Sequence, residues 1–313
     1  MSTDAPVIIG VVGATATGKS ALGIELAGRV GGEVVGADAS QRYRGMDIGT
    51  AKVPLEERHG IPHHQIDVLD VTQEASVSDY QQAARADIEA IRGRGSVVVV
   101  VGGSGLYVRA ALDRLEIPPT DPAVRQALQD RADAGDVAGL RAELARADPE
   151  AAAAIEGNNI RRIVRALEVI VITGRPFSAT MPRREFVSPT ALVGLKVPRP
   201  VLYERIAART SRMFADGLVE ETRALERRGL RDGVTARRAV GYAQALAVID
   251  TRMTPEEAVI DTTQRTRRLV RRQESWFGAD PRITWFDPSQ ADLVDRVVEL
   301  VHRVERAGDP ASS

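Results

Sequence analysis

No cysteine occurs in the 313 residues, which excludes disulfides and thiolate metal sites and suits a reducing compartment. No apolar run approaches the roughly 18–20 residues of a membrane span. The opening Met1–Pro6 is short, polar and followed at once by a strand pattern, so it is no signal peptide. A cytoplasmic protein with no membrane partner is therefore expected. An excess of charge is also missing: 42 Lys and Arg face 43 Asp and Glu, a net charge of −1. That argues against a chain held to nucleic acid by bulk charge. Local basic groups remain, one at Arg161, Arg162 and Arg165, another at Arg265, Arg267, Arg268, Arg271 and Arg272. Taken alone, each also reads as a solvated helix face. No internal repeat is present.

What is present starts with Val7–Val12 (VIIGVV), a buried-strand pattern, followed by the octapeptide Gly13-Ala14-Thr15-Ala16-Thr17-Gly18-Lys19-Ser20 and the helical run Ala21–Val30. The octapeptide matches G-x-x-x-x-G-K-[ST] between strand and helix, the pattern of a P-loop. Gly13 and Gly18 permit the turn that aims backbone N–H groups at an anion. The helix dipole points at the same place. Lys19 adds a mobile cation, and the Ser20 hydroxyl can sit on Mg²⁺. The loop binds a polyphosphate without saying which.

A second strand is expected at Glu33–Ala37, with Asp38 just past its end and a polar loop running to Lys52. In open α/β sheets that edge is where ligands bind. Asp38 can be a magnesium ligand, a base acting on the substrate, or a plain turn residue. Pro62–Asp67 carries adjacent His63 and His64, a poor zinc site without cysteine, and reads as a loop. Asp79–Gly93 has helical spacing, and the five valines Val97–Val101 read as a central parallel strand. Gly102-Gly103-Ser104-Gly105 follows, where a P-loop ATPase usually places a magnesium-binding acid. That absence weakens an ATPase reading, and the glycines suit close backbone approach by a ligand. After Pro118–Pro122 the chain turns rich in alanine, arginine and glutamate, so 120–184 is expected as a helical insertion. Within it Asn158 or Asn159 caps a helix at Ile160–Thr173. Ala191–Val197 returns to strand, and one long helix is expected over 200–227, with Arg205 and Arg209 on one face. Arg237–Tyr242 reads as a small-residue turn. Thr254–Glu257 is a capping box opening a helix to Phe277, and a last strand and helix follow. The fold class is α/β, a P-loop kinase-like parallel sheet core (1–119 and 185–313) with helices on both faces and an α-helical insertion domain (120–184).

The set GATATGKS (13–20), DASQRYRGMDIGTAK (38–52), PHHQID (62–67), VGGSGLY (101–107), RRIVRALE (161–168), R-I-x-x-R-x-x-x-M (205–213), AVGYAQ (239–244) and RRQESWF (271–277) resembles the tRNA dimethylallyltransferases, in that family's order and over nearly the whole chain. The P-loop alone is weak evidence of kinship; the set together is specific. The chain departs from the family pattern at Ala14, Ala39 and Ala243. The resemblance implies that the P-loop takes the diphosphate of dimethylallyl diphosphate and that Asp38 removes a proton from adenosine N6. Ser20 would help place Mg²⁺, and Lys19 and Arg209 would hold the leaving diphosphate. It further implies contacts with a tRNA anticodon stem-loop at Asp38, Ala39, Ser40, Gln41, Ser104, Arg125, Arg161, Arg162, Arg165, Arg238, Gly241 and Tyr242. The expected product is a tRNA prenylated on the adenosine next to the anticodon, and a monomer is expected. The competing readings are a P-loop kinase or NTPase, a prenyltransferase acting on free adenine nucleotides, and a pure RNA-binding module. The first does not predict the glycines after the valine strand. The second leaves the arginine-rich faces without a partner, and the third leaves Gly13–Ser20 without a purpose.

Overall fold

The computed structural model describes residues 6–156, 159–180 and 184–308, so residues 1–5 of the polar opening and Asn158 lie outside the described residues. Two compact units emerge, Met1–Leu112 with Phe186–Ser313, and Asp113–Glu185. The boundaries fall at 113 and 185, the first ahead of the proline-rich punctuation that suggested a start at 120.

The larger unit is built on β1 (Ile8–Gly13), α1 (Lys19–Val30), β2 (Gly32–Gly36), β3 (His63–His64), α2 (Val77–Gly93), β4 (Val97–Gly102) and α3 (Gly105–Leu112). In the smaller unit lie α4 (Pro122–Asp133), α5 (Val137–Ala147), α6 (Pro149–Ala154) and α7 (Ile160–Thr173). The larger unit then resumes with β5 (Thr190–Leu195), α8 (Arg199–Ala215), α9 (Leu218–Glu226), α10 (Tyr242–Ile249), α11 (Pro255–Gly278), β6 (Thr284–Phe286) and α12 (Leu293–Gly308).

All pairings in the six-stranded sheet are parallel, in the order β3-β2-β4-β1-β5-β6. Strand alternation explains the two covered faces. Ile9, Val11, Val34, Val99 and Val193 pack with Leu22 and Leu26 of α1 and Val297 and Val301 of α12. On the opposite face α2 and α3 pack together, and a Cβ at Gly10 would meet Leu112 of α3 at 3.2 Å. Each fully buried valine or leucine contributes about 1.5–3 kcal/mol, which is why five consecutive valines settle at the sheet centre. No described helix is long and apolar enough to cross a membrane.

Three expectations about elements need correction. Pro62–Asp67 is not all loop: His63 and His64 form an edge strand on Val34 and Val35, and His64 Nε2 lies 2.7 Å from Glu33 Oε2. The expected single helix over 200–227 is two, because the chain turns left-handed at Gly217 (φ 99°). Third, the turn expected at Arg237–Tyr242 is a short 3₁₀ segment, Ala236–Arg238, leading into α10.

In the helical unit, Leu128, Leu140, Leu144, Ile163 and Leu167 form the core. Asn159 caps α7 by accepting the Arg162 N–H, and Gly174 ends it. Glu168 on α7 is fully buried; its carboxylate accepts N–H groups from Arg125 and Arg165 and the Asp121 amide.

Candidate active site

The P-loop leaves β1 at the middle of the sheet and ends in the first turn of α1. Two left-handed residues shape it, Ala16 (φ 66°) and Gly18 (φ 94°). For an alanine that conformation costs about 1–2 kcal/mol, a cost met here by bonds inside the loop. Thr17 Oγ1 donates to the Ala14 carbonyl at 2.9 Å, and Lys19 Nζ donates to the same carbonyl at 2.6 Å. From α8, Arg205 donates to the Ala16 carbonyl at 3.3 Å and Arg209 to Thr15 Oγ1 at 2.9 Å. The Ser20 hydroxyl is exposed and makes no hydrogen bond among the described residues. Arg209 Nε is buried and unpartnered among them, an N–H held ready for an acceptor.

Asp38 follows β2 and lies half-buried, its Oδ1 accepting the Ser40 N–H at 2.9 Å. Lys19, Ser20, Asp38, Gln41, Arg205 and Arg209 all line one cavity of about 310 Å³. Burial pulls the Lys19 ammonium down to about 8; Asp38 opposes the fall and Arg209 adds to it. Arg209 is likewise lowered, by burial first, with Asp38 opposing. A single acid therefore faces cations that the protein has stripped of water, and a dianion entering there would be bound by all of them. A larger apolar cleft of about 780 Å³, walled by Leu195, Leu202 and Phe277, reaches the loop at Ala14 and Thr17. Its charged lining is Lys196, Asp287 and Arg199, the last paired with Glu274 at 2.6 Å, whereas Lys19, Arg205 and Arg209 converge with Asp38 only in the smaller cavity.

The glycines after β4 have a packing cause beside the ligand approach expected of them, and Gly103 also lines the cavity. A Cβ at Gly105 would sit 2.0 Å from the Trp276 ring, and one at Gly103 2.6 Å from Gln273 Nε2. They admit α11, whose Gln273 bonds Thr15 N–H and the Gly103 carbonyl. Gln273 stood out in the sequence only as part of RRQESWF (271–277), and its contact with the P-loop carried no signal there.

Of the positions expected to touch RNA, Ala39, Ser40, Gln41 and Ser104 are half-buried, near the cavity in chain and space, and Gln41 Nε2 donates to the Thr50 carbonyl. Arg238 is exposed and Gly241 buried. The Tyr242 side chain is fully buried: its hydroxyl donates to Glu221 at 2.5 Å and accepts the Gly49 N–H at 3.2 Å. It holds the Asp38–Lys52 loop from behind and offers no surface to a ligand. In the helical unit Arg161 and Arg162 are exposed, whereas Arg125 and Arg165 are committed to Glu168.

The sequence model of the family described as IPP transferase matches residues 41–280. The chain belongs to the IPP transferase family. Among IPP transferase relatives, one called tRNA dimethylallyltransferase in Streptomyces coelicolor is 53% identical over 302 residues, covering 96% of this chain and 97% of the relative. Another of that name in Thermobifida fusca is 56% identical over 300 residues, 94% of each chain. The crystal structure of the tRNA isopentenylpyrophosphate transferase of Bacillus halodurans superposes with a TM-score of 0.71 at 36% identity, over 96% of this chain and 98% of that one. The fold is also that of a eukaryotic dimethylallyltransferase acting on tRNA, with a TM-score of 0.78 at 24% identity, over 94% of this chain and 78% of the other. The IPP transferase match begins at Gln41, so it takes in all but the first three residues of the Asp38–Lys52 loop, with α8 and α11, while the P-loop lies in the part that the full-length relatives cover.

Proposed function

We propose that this chain transfers the dimethylallyl group of dimethylallyl diphosphate to N6 of the adenosine next to the anticodon, position 37 of tRNA, releasing diphosphate. The observation that carries the reading is the cavity in which Asp38 meets Lys19, Ser20 and Arg209 beside the P-loop. The exocyclic amine of adenosine is a weak nucleophile, because its lone pair is conjugated with the ring. An allylic diphosphate compensates by ionising easily. As N6 bonds to C1 of the dimethylallyl group, the C1–O bond breaks and its electron pair leaves with the diphosphate. Lys19, Arg209 and the loop amides stabilise that growing oxygen charge. The N6 proton passes to the Asp38 carboxylate, the acid of the cavity and so the group within reach of a base's task. The adenosine must leave its stack to enter.

Mg²⁺ fits the residues present. No group of three or more acidic or histidine ligands occurs among the described residues, while Ser20 presents a free hydroxyl at the cavity. Mg²⁺ is often held by few protein groups together with substrate phosphates. Bound by Ser20 and the diphosphate, it would neutralise charge on the leaving group.

In this reading the helical unit and Arg238 grip the phosphates of the anticodon stem-loop, and the half-buried Asp38–Gln41 and Ser104 contact its splayed bases. In the same reading the enzyme acts in the cytoplasm as a monomer. The test is incubation with radiolabelled dimethylallyl diphosphate and unmodified tRNA, with ATP as the competing donor. Label transferred to tRNA is the expected result. ATP hydrolysis without prenyl transfer would overturn the reading.

A further inference from the structure

α11 meets the P-loop and the glycine run through one side chain, Gln273. Its amide oxygen accepts the Thr15 N–H at 2.9 Å while its amide nitrogen donates to the Gly103 carbonyl at 2.8 Å. Thr15 in turn accepts the Arg209 Nη2–H on its hydroxyl at 2.9 Å, the one hydrogen bond that the Arg209 guanidinium makes among the described residues. Gln273, Thr15 and Arg209 all line the diphosphate cavity.

These bonds form a relay from helix to loop to cation, and we propose that Gln273 is the positioning residue of the diphosphate cradle. It fixes the Thr15 backbone, and through the Thr15 hydroxyl it fixes the direction in which Arg209 presents its remaining N–H groups. Chemistry restricts the position closely. One atom must accept from an amide while its neighbour donates to a carbonyl, and the group must be neutral. Asn would fall a methylene short of both partners. Glu would keep the acceptor for Thr15, but would set a second oxygen against the Gly103 carbonyl and place a negative charge beside Lys19 and Arg209, in competition with the diphosphate. The inference rests on the reading of the P-loop as a diphosphate site, and it goes further by assigning the loop's alignment to α11.

Inorganic pyrophosphate with Mg²⁺ is the probe, and its affinity is measured by calorimetry on wild type, Gln273→Met, Gln273→Glu, Thr15→Val and the double variant Gln273→Met/Thr15→Val. Thermal unfolding checks that each is folded, and steady-state prenyl transfer separates KM from kcat. Gln273→Met and Thr15→Val should each weaken pyrophosphate binding about 3- to 10-fold, the range expected from one hydrogen bond. Gln273→Glu, nearly the same size as the native side chain, should weaken it about 30-fold or more and raise KM for the allylic diphosphate. Because both single changes break one relay, the double variant should bind no more than about 2-fold worse than the weaker single variant. tRNA affinity should be unchanged throughout. Folded Gln273 variants that bind pyrophosphate like wild type would overturn the inference, as would fully multiplicative effects of the two single changes. Failure of wild type itself to bind pyrophosphate would instead strike at the diphosphate reading.

Discussion

At Lys19, burial and the neighbouring Arg209 work against protonation and Asp38 opposes them, leaving the ammonium at about 8 against an ordinary value of 10.5. A pKa lowered by folding means that the unfolded chain binds the proton more tightly. Between about pH 8 and 10.5 the unfolded state carries a proton that the folded state lacks, so this group makes stability rise with pH across that window. Below pH 8 both states are protonated and the full cost of the buried charge is present. An entering diphosphate reverses the balance, since it supplies the missing counter-charge. Its affinity should hold between pH 6.5 and 7.5 and then fall by about 10-fold per unit above pH 8, with proton uptake seen by calorimetry in buffers of different ionisation enthalpy. Lys19→Arg should abolish that slope. Asp38 poses a different question at the same scale, base or metal ligand. Asp38→Asn keeps size and hydrogen-bonding capacity but removes the proton acceptor. If the carboxylate is the base, prenyl transfer should fall about 10²- to 10⁴-fold with Mg²⁺ and diphosphate affinity near wild type. Single-turnover transfer measured across a Mg²⁺ titration separates the roles, because substantial rescue by excess Mg²⁺ would make Asp38 a metal ligand.

Helix α11 organises the next scale. Its capping box at Thr254 and Glu257 starts it where the sequence says it should start, both reciprocal bonds being made. Its far end explains the glycines at 103 and 105, which give up their side chains to Gln273 and Trp276. Gly105→Ala should therefore cost about 1–3 kcal/mol by overpacking, read as a lower urea midpoint. Trp276→Leu in the same chain should recover part of the loss. Equal losses in the single and double variants would mean that the ring is not what the glycine admits. The legible elements share a physical trait: their cause is local. The P-loop octapeptide, the valine strand β4 and the proline-and-cap start of α11 carry their own turn, periodicity or capping chemistry. The illegible ones depend on distant partners. His63 and His64 are strand only because Val34 and Val35 offer an edge. Tyr242, on a motif that resembles an RNA contact, is buried because Glu221 and Gly49, both far away in sequence, take its hydroxyl. The packing role of the glycine run was illegible for the same reason, since a helix more than 160 residues later is its partner.

For the molecule as a whole, the arginines of the helical unit divide into two kinds with different consequences. Burial alone would raise the Glu168 carboxyl, yet hydrogen bonds from Arg165 and Arg125 and the Asp121 amide hold it below the usual range. Arg165 also donates to the Pro118 and Pro119 carbonyls, tying α7 to the segment that enters α4. Removing it leaves a buried carboxylate short of a partner, a loss of about 3 kcal/mol at most, because Arg125 remains and Arg165 is partly solvated. Arg161 and Arg162, by contrast, are exposed on the first turn of α7 and hold nothing in place among the described residues. If the unit grips tRNA, Arg161→Ala and Arg162→Ala should each weaken tRNA binding and flatten its salt dependence, lowering the slope of log K against log salt by about 0.7–0.9 per lost phosphate contact. Their unfolding midpoints should stay within about 0.5 kcal/mol of wild type. Arg165→Ala should instead lower stability, and lower it further at neutral pH than in acid: the wild-type contribution of Glu168 is present above its unfolded pKa and is lost as pH falls through the folded one. Pyrophosphate affinity should be the same in all three, since the described residues that line the P-loop cavity belong to the larger unit. Fluorescence anisotropy with an anticodon stem-loop at several salt concentrations decides the matter. Normal binding by Arg161→Ala and Arg162→Ala across that series would make the two arginines a solvated helix face, and the tRNA grip of the helical unit would have to rest elsewhere.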